Sequence, residues 1–190
     1  MKTTSIMIVG VGGQGTLLAS RLIGHALTKK GYDVKLSEVH GMSQRGGSVV
    51  TYVKYGEKVY SPIVDEGEAD FILSFEAIEG ARWLPRLKKG GRIITNEREI
   101  YPMPVITGRM AYPENAISKL REKADVVSLD ALSLAERAGS AKAVNTVLLG
   151  VLSRDMPEIT GDEWMEAIDA VVKPAFVELN KRAFRMGREA

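Results

Sequence analysis

Cysteine is absent from all 190 residues, and histidine occurs only twice, at His25 and His40. The first absence excludes disulfides, a thiolate nucleophile and any cysteine-ligated iron–sulfur cluster held by this chain alone. The second excludes a histidine-rich metal site, so no metal is assigned. Long apolar runs are missing as well. None approaches the roughly 18 residues needed to span a bilayer, and no signal peptide precedes the first apolar run. An excess of one charge sign is also lacking. With 26 basic and 24 acidic residues the formal net charge is +2, too small to suggest nucleic-acid binding, and no basic run alternates with aromatics. What remains is an ordinary globular composition, 45% hydrophobic and 26% charged, in a length suited to one domain. The expectation is a single cytoplasmic domain over 1–190 with no nucleic-acid or membrane partner. Any redox chemistry must then be carried by a bound cofactor or a partner.

Against those absences, glycine is placed with purpose near the start. The apolar run Ile6-Met7-Ile8-Val9 reads as a buried strand and feeds into Gly10-Val11-Gly12-Gly13-Gln14-Gly15. This is Gly-x-Gly-x-x-Gly between a strand and a helix. The first glycine permits a tight turn, the second lets backbone approach a ligand, and the third lets helix pack on strand. The free N–H groups of the first helical turn then point at any anion placed there. Two readings stay open, a turn used only for packing and a site for a nucleotide or another phosphate-bearing ligand. An NAD site would want an acid at the end of the second strand for the ribose hydroxyls, and Glu38 is placed for that.

The remaining pattern predicts a Rossmann-like α/β domain with a mostly parallel sheet, flanking helices and an inserted β-hairpin. A helix over Gln14 to Lys30 carries Leu18, Leu22, Ala26 and Leu27 on one face and ends at Gly31. Val34 to Val39 is the second strand. Ser48 to Lys54 and Val59 to Ser61 read as a hairpin around Tyr55-Gly56-Glu57-Lys58. Ala69 to Phe75 is a central strand, Ile78 to Leu87 a helix and Arg92 to Thr95 a strand. A proline-rich surface excursion runs from Tyr101 to Pro113, which can open a helix reaching Lys123. Asp125 to Leu129 is another strand, followed by a helix stopping at Gly139 and a buried helix over Ala141 to Ser153. Thr160-Gly161-Asp162-Glu163 is a capping box opening the last helix, which Pro174 is expected to kink.

A second polar segment follows the second strand: Ser37-Glu38-Val39-His40-Gly41-Met42-Ser43-Gln44-Arg45-Gly46-Gly47. Ligands on open α/β sheets bind beyond the carboxyl ends of strands, which brings this loop near the glycine turn. His40 can exchange protons near neutral pH, and Arg45 can clamp a carboxylate or phosphate. The alternative is a solvated loop. His25 reads as structural, Glu76 as either a helix cap or a cleft residue, and Asn145 as a side chain able to order backbone across the cleft.

The glycine run and the 37–47 segment, at this spacing, resemble the gamma-type subunits and domains of 2-oxoacid:ferredoxin oxidoreductases, the indolepyruvate-type beta subunits in particular. The resemblance extends to Lys142-Ala143-Val144-Asn145 and Val171-Val172-Lys173-Pro174. It implies a subunit of an enzyme that oxidatively decarboxylates an aryl 2-oxoacid with coenzyme A as cosubstrate, giving an acyl-CoA, carbon dioxide and reduced ferredoxin. Thiamine diphosphate, Mg²⁺ and the iron–sulfur clusters would sit on a larger, alpha-type catalytic subunit, and ferredoxin would be reached through the complex. It implies that His40 and Arg45 face the active site and that Met42, Ser43, Gln44, Gly46 and Gly47 form an interface. Gly10, Gly12, Gly13, Gln14, Gly15, Glu38 and Asn145 are then the cofactor-binding candidates. The rival readings are a free-standing NAD-dependent oxidoreductase and a nucleotide-binding module without a reaction.

Overall fold

The computed structural model describes residues 3–40 and 47–190. Its strands are β1 (Thr3–Val11), β2 (Asp33–His40), β3 (Ser48–Gly56), β4 (Ala69–Ser74), β5 (Leu87–Asn96) and β6 (Asp125–Leu129). The helices are α1 (Thr16–Lys29), α2 (Ala77–Trp83), α3 (Met103–Ile106), α4 (Ala116–Arg121), α5 (Ala131–Ala138), α6 (Val144–Leu152), α7 (Gly161–Val171) and α8 (Val177–Glu189). Ile6, Met7, Ile8 and Val9 are all fully buried, which requires both faces of β1 to be covered. On one face Ile6 and Ile8 pack with residues of α1 and α5 to α8, including Trp164 and Phe184. On the other, Met7 and Val9 meet Ile72, Ile93 and Leu120, with Trp83 of α2 packed against them.

The sheet order is β2-β3-β1-β4-β5-β6. β1, β4, β5 and β6 pair in parallel, and β3 is antiparallel to both β1 and β2. β2 therefore runs parallel to β1, and β3 alone is reversed, filling the place between them. The antiparallel element differs from the expected hairpin. β3 continues through Tyr55 and Gly56, and Val59 to Ser61 forms no strand; the Val59 amide donates instead to the Asp33 carboxylate at 3.0 Å. Its hairpin partner is β2, in register from Asp33–Gly56 to His40–Val49. As an interior strand β3 pairs along both edges, whereas a short hairpin would satisfy only one.

Two helix boundaries also move, both at proline. α2 stops at Trp83, a 3₁₀ turn over Leu84–Arg86 contains Pro85, and Lys88 to Gly91 belong to β5. Pro174 breaks the last helix rather than kinking it. α7 ends at Val171, Lys173 is extended, and a 3₁₀ turn over Pro174–Phe176 leads into α8. Proline lacks the N–H and disfavours helical geometry in the residue before it. α4 is shorter than expected and starts after Asn115, with Pro113 ahead of it.

All nine residues of α6 are buried, because it lies between the sheet and α8. The α6–α8 crossing depends on two glycines. A Cβ on Gly150 would sit 2.2 Å from the Phe184 carbonyl oxygen, and one on Gly187 would sit 1.9 Å from that of Val147.

Candidate functional site

The carboxyl ends of β1, β4 and β5 meet at one end of the sheet, and the glycine turn crosses this end. Gly13 and Gly15 have φ of 101° and 85°, the left-handed region open to glycine. Gln14 folds back over the turn. Its Oε1 accepts from the Val11 amide at 2.6 Å and its Nε2 donates to the Phe75 carbonyl at 3.2 Å, tying β1 to β4. A Cβ on Gly10 would lie 2.6 Å from Gln14 Oε1 and 3.1 Å from Phe75 Cβ, so Gly10 is small because Gln14 and Phe75 fill the space. Gly12 donates its amide to the Gly47 carbonyl at 2.9 Å, which anchors the return of the 37–47 segment. From α6, Asn145 donates Nδ2 to the Gly15 carbonyl at 3.2 Å. Asn145 is buried, and its Oδ1 accepts from the Thr146 amide. Gln14 and Asn145 thus hold the turn's backbone in place.

Beside this turn lies a cavity of about 450 Å³, lined by Gly13, Gln14, Gly15, Asn96, Arg98, Ala141, Lys142 and Val144. Asn96, at the end of β5, donates to the Phe75 carbonyl and accepts from the Ala131 amide, so its side chain is structurally engaged. Arg98 and Lys142 are exposed, and neither side chain is ion-paired among the described residues. Two such cations next to a helix N-terminus make this an anion-accepting corner.

A cavity of about 460 Å³ lies beyond β1 on the β3 side and is lined in part by Val11, Ser48, Glu76, Glu79 and Tyr101. Glu76 is 2% exposed and caps α2, accepting from the Glu79 amide at 2.9 Å. Its other oxygen accepts from the Tyr112 hydroxyl at 2.6 Å. Burial, with the Glu76 carboxylate next in importance, pushes the Tyr112 phenol far above its usual range. The two sequence readings for Glu76 are both met, since it caps α2 and also lines this cavity.

Glu38 lies on β2, opposite Thr51 of β3. Because β3 intervenes, β2 is two strand spacings from β1, about 10 Å. In a dinucleotide fold the ribose-binding acid stands on the strand adjacent to β1. His40 ends β2 opposite Val49. Gly41, Met42, Ser43, Gln44, Arg45 and Gly46 lie outside the described residues. His25 is on the exposed side of α1.

The sequence profile of the pyruvate ferredoxin/flavodoxin oxidoreductase family matches residues 5–190. The chain belongs to that family. The indolepyruvate oxidoreductase subunit IorB of Thermococcus kodakarensis is 44% identical, over 100% of this chain and 96% of its own length. The same fold recurs in the gamma subunit of a keto/oxoacid ferredoxin oxidoreductase from Geobacter sulfurreducens, at TM-score 0.73 and 23% identity over 98% of this chain and 96% of that one. It recurs again in the 2-oxoglutarate:ferredoxin oxidoreductase of Magnetococcus marinus, whose structure has 2-oxoglutarate, coenzyme A and succinyl-CoA bound. There the TM-score is 0.74 and the identity 18%, and this chain's full length matches only 31% of a much longer chain.

Within this family frame, the two cations of the cavity are the residues that sequence reasoning passed over. Arg98 stands between Glu97 and Glu99 in what reads as a solvated stretch after a strand. Lys142 heads the buried helix inside the segment that carries the resemblance, where only Asn145 was given a site role. The signal in the sequence was positional, since Arg98 follows the end of β5 and Lys142 stands just ahead of α6, the helix whose Asn145 bonds the glycine turn.

Proposed function

We propose that this chain is the gamma-type subunit of an indolepyruvate:ferredoxin oxidoreductase, working in the cytoplasm beside a larger catalytic subunit. The reaction is CoA-dependent oxidative decarboxylation of an aryl 2-oxoacid, with electrons passing to ferredoxin. Thiamine diphosphate with Mg²⁺, carried by the larger subunit, supplies the carbanion chemistry when bound. The iron–sulfur clusters belong there too, because a chain without cysteine offers no thiolates to ligate them. The indolepyruvate assignment leans on the 44% identity to the archaeal subunit over its whole length.

The observation that carries this chain's own part is the cavity where Arg98 and Lys142 adjoin Gly13, Gln14 and Gly15. Its volume, about 450 Å³, is in the range of small-ligand sites. In this reading the two cations and the start of α1 hold phosphate groups of coenzyme A. Gly10 and Gly12 shape the turn, and Gln14 and Asn145 keep its backbone fixed. Glu38 and His40 on β2 and Gly47 ahead of β3 border the same end of the sheet, and in this reading His40 and Arg45 act at the assembled active site. Met42, Ser43, Gln44, Gly46 and Gly47 then form contacts to the partner. The Gly12–Gly47 hydrogen bond supports this, since it returns the segment to the glycine turn.

The test is steady-state kinetics of the reconstituted complex with Arg98→Ala and Lys142→Ala. Each substitution is expected to raise KM for coenzyme A about tenfold, near 1.4 kcal/mol, with KM for the 2-oxoacid unchanged. An unaltered KM for coenzyme A in both variants and in the pair together removes the cavity from the proposal.

A further inference from the structure

A different face draws attention through its exposed apolar side chains. Tyr101, Met103, Ile106 and Met110 are 53%, 66%, 64% and 64% exposed, all within ten residues of the excursion between β5 and α4. Single exposed hydrophobics are normal, whereas a contiguous group marks a binding surface. Tyr101, Met103 and Ile106 share the wall of the 460 Å³ cavity with Ile78 and Ile100. Met103 and Ile106 stand one helical turn apart on α3, so they present one face.

Little of this excursion is buried, but several contacts tie it together. Pro102 and Pro104 restrict its backbone, and the Thr107 hydroxyl donates to the Met103 carbonyl at 2.9 Å. The rings of Tyr101 and Tyr112 lie 4.8 Å apart, and Tyr112 in turn donates to the buried Glu76. Ordering an apolar face before binding lowers the entropy cost of association. The cavity also touches Val11 and Ser48, so the face is continuous with the glycine turn and the start of β3.

We infer that Tyr101, Met103 and Ile106 form the surface that receives an apolar segment of the larger, thiamine-carrying subunit. The inference rests on the subunit role proposed above. In the longer Magnetococcus chain this fold occupies 31% of one polypeptide, so there the adjoining protein is covalently attached. A separate subunit must instead hold its neighbour through its surface. The exposed charges of the same segment, Glu97, Glu99 and Glu114 against Arg98 and Arg109, form no basic cluster of the kind that holds an anionic bilayer.

The experiment measures binding of the full chain to the purified larger subunit, comparing wild type with the pair Met103→Asp and Ile106→Asp. Tyr60→Asp is the control. It alters an 87%-exposed residue just after β3, at the opposite end of the sheet. The pair is expected to weaken binding at least tenfold with an unchanged melting temperature, and the control to bind like wild type. If the aspartates lower the melting temperature, Met103→Ser with Ile106→Ser carries the comparison. Wild-type affinity in the paired variant overturns the inference, as does an effect confined to self-association by light scattering. Failure of the wild-type chain to bind the larger subunit would instead overturn the subunit role, and this inference with it.

Discussion

At the scale of single residues, the glycine turn is held by side chains as much as by its own conformation. Gly15 combines φ of 85° with the approach of Asn145, whose Nδ2 would lie 2.5 Å from an added Cβ. Gly15→Ala is therefore expected to destabilise the fold by roughly 1–3 kcal/mol. In an Asn145→Ala background the same change should cost less, because the clash is gone while the backbone strain stays. Thermal denaturation of the double-mutant cycle checks this, and strict additivity contradicts the contact. His40→Ala and Arg45→Ala should leave the isolated chain's melting temperature nearly unchanged. In the complex they are expected to reduce turnover or weaken assembly, and unchanged rates and unchanged assembly would return the loop to the solvated reading. The motif's glycines were legible from the sequence as a turn. Asn145 was legible too, as a side chain able to order backbone across the cleft, and it does so at the Gly15 carbonyl. That Gln14 folds back to serve the turn was not, since its partner Phe75 lies 61 residues on.

At the scale of elements, close packing decides which helices could be read and where they end. The α6–α8 crossing places backbone against backbone at Gly150 and Gly187, with no room for even a methyl group. Gly187→Ala should lower stability on the order of 3 kcal/mol, because the carbonyl of Val147 must move. Gly161→Ala is the contrasting case. A Cβ at this position, which opens α7, would meet nothing within 4 Å, so the change should be neutral or slightly stabilising. Equal melting temperatures for the two variants would contradict this account of the crossing. The capping box at Thr160 and Glu163 was readable because it is local. The break at Pro174 was half readable, since proline marks a disruption without saying whether the chain kinks or restarts. The expected helix, by contrast, ran through Pro85 to Leu87 and missed the break there.

At the scale of the whole molecule, the position of β3 carries the functional consequence. With β3 between β1 and β2, Glu38 stands about 10 Å from the strand that bears the glycine turn. NAD(H) and NADP(H) are accordingly expected to bind more weakly than about 1 mM, and calorimetric titration reaching micromolar affinity would restore the dehydrogenase reading. Surface charge governs acid stability. Hydrogen bonding from Lys35, then from the Val59 amide, lowers Asp33 to about 2, and Lys30 with the Thr160 amide lowers Glu163 to about 2. Glu68 and Asp130 are lowered as well, by the Asp65 amide and by Ser133 respectively as the leading causes. Carboxylates depressed in this way stabilise the fold above their ordinary values of 3.8 and 4.5, and that contribution disappears as pH falls toward 2. The melting temperature should therefore drop across that window, less steeply when Lys30 and Lys35 are both changed to Met. A melting temperature independent of pH between 5 and about 2 would contradict the linkage.

The sequence by itself determined the features that depend on neighbours in the chain. The turn at Gly10–Gly15, the buried run Ile6–Val9, the capping box at Thr160 and the exclusion of a cysteine-held cluster all follow from short-range conformation or from composition. Tertiary structure alone decided that β3 enters between β1 and β2, because an interior place gives Ser48–Gly56 two pairing partners where a local hairpin offers one. It also decided that Arg98, beyond β5, and Lys142, ahead of α6, line one cavity beside the glycine turn. Strand order and converging loops are settled by competition among distant pairings, and no local pattern of residues records its outcome.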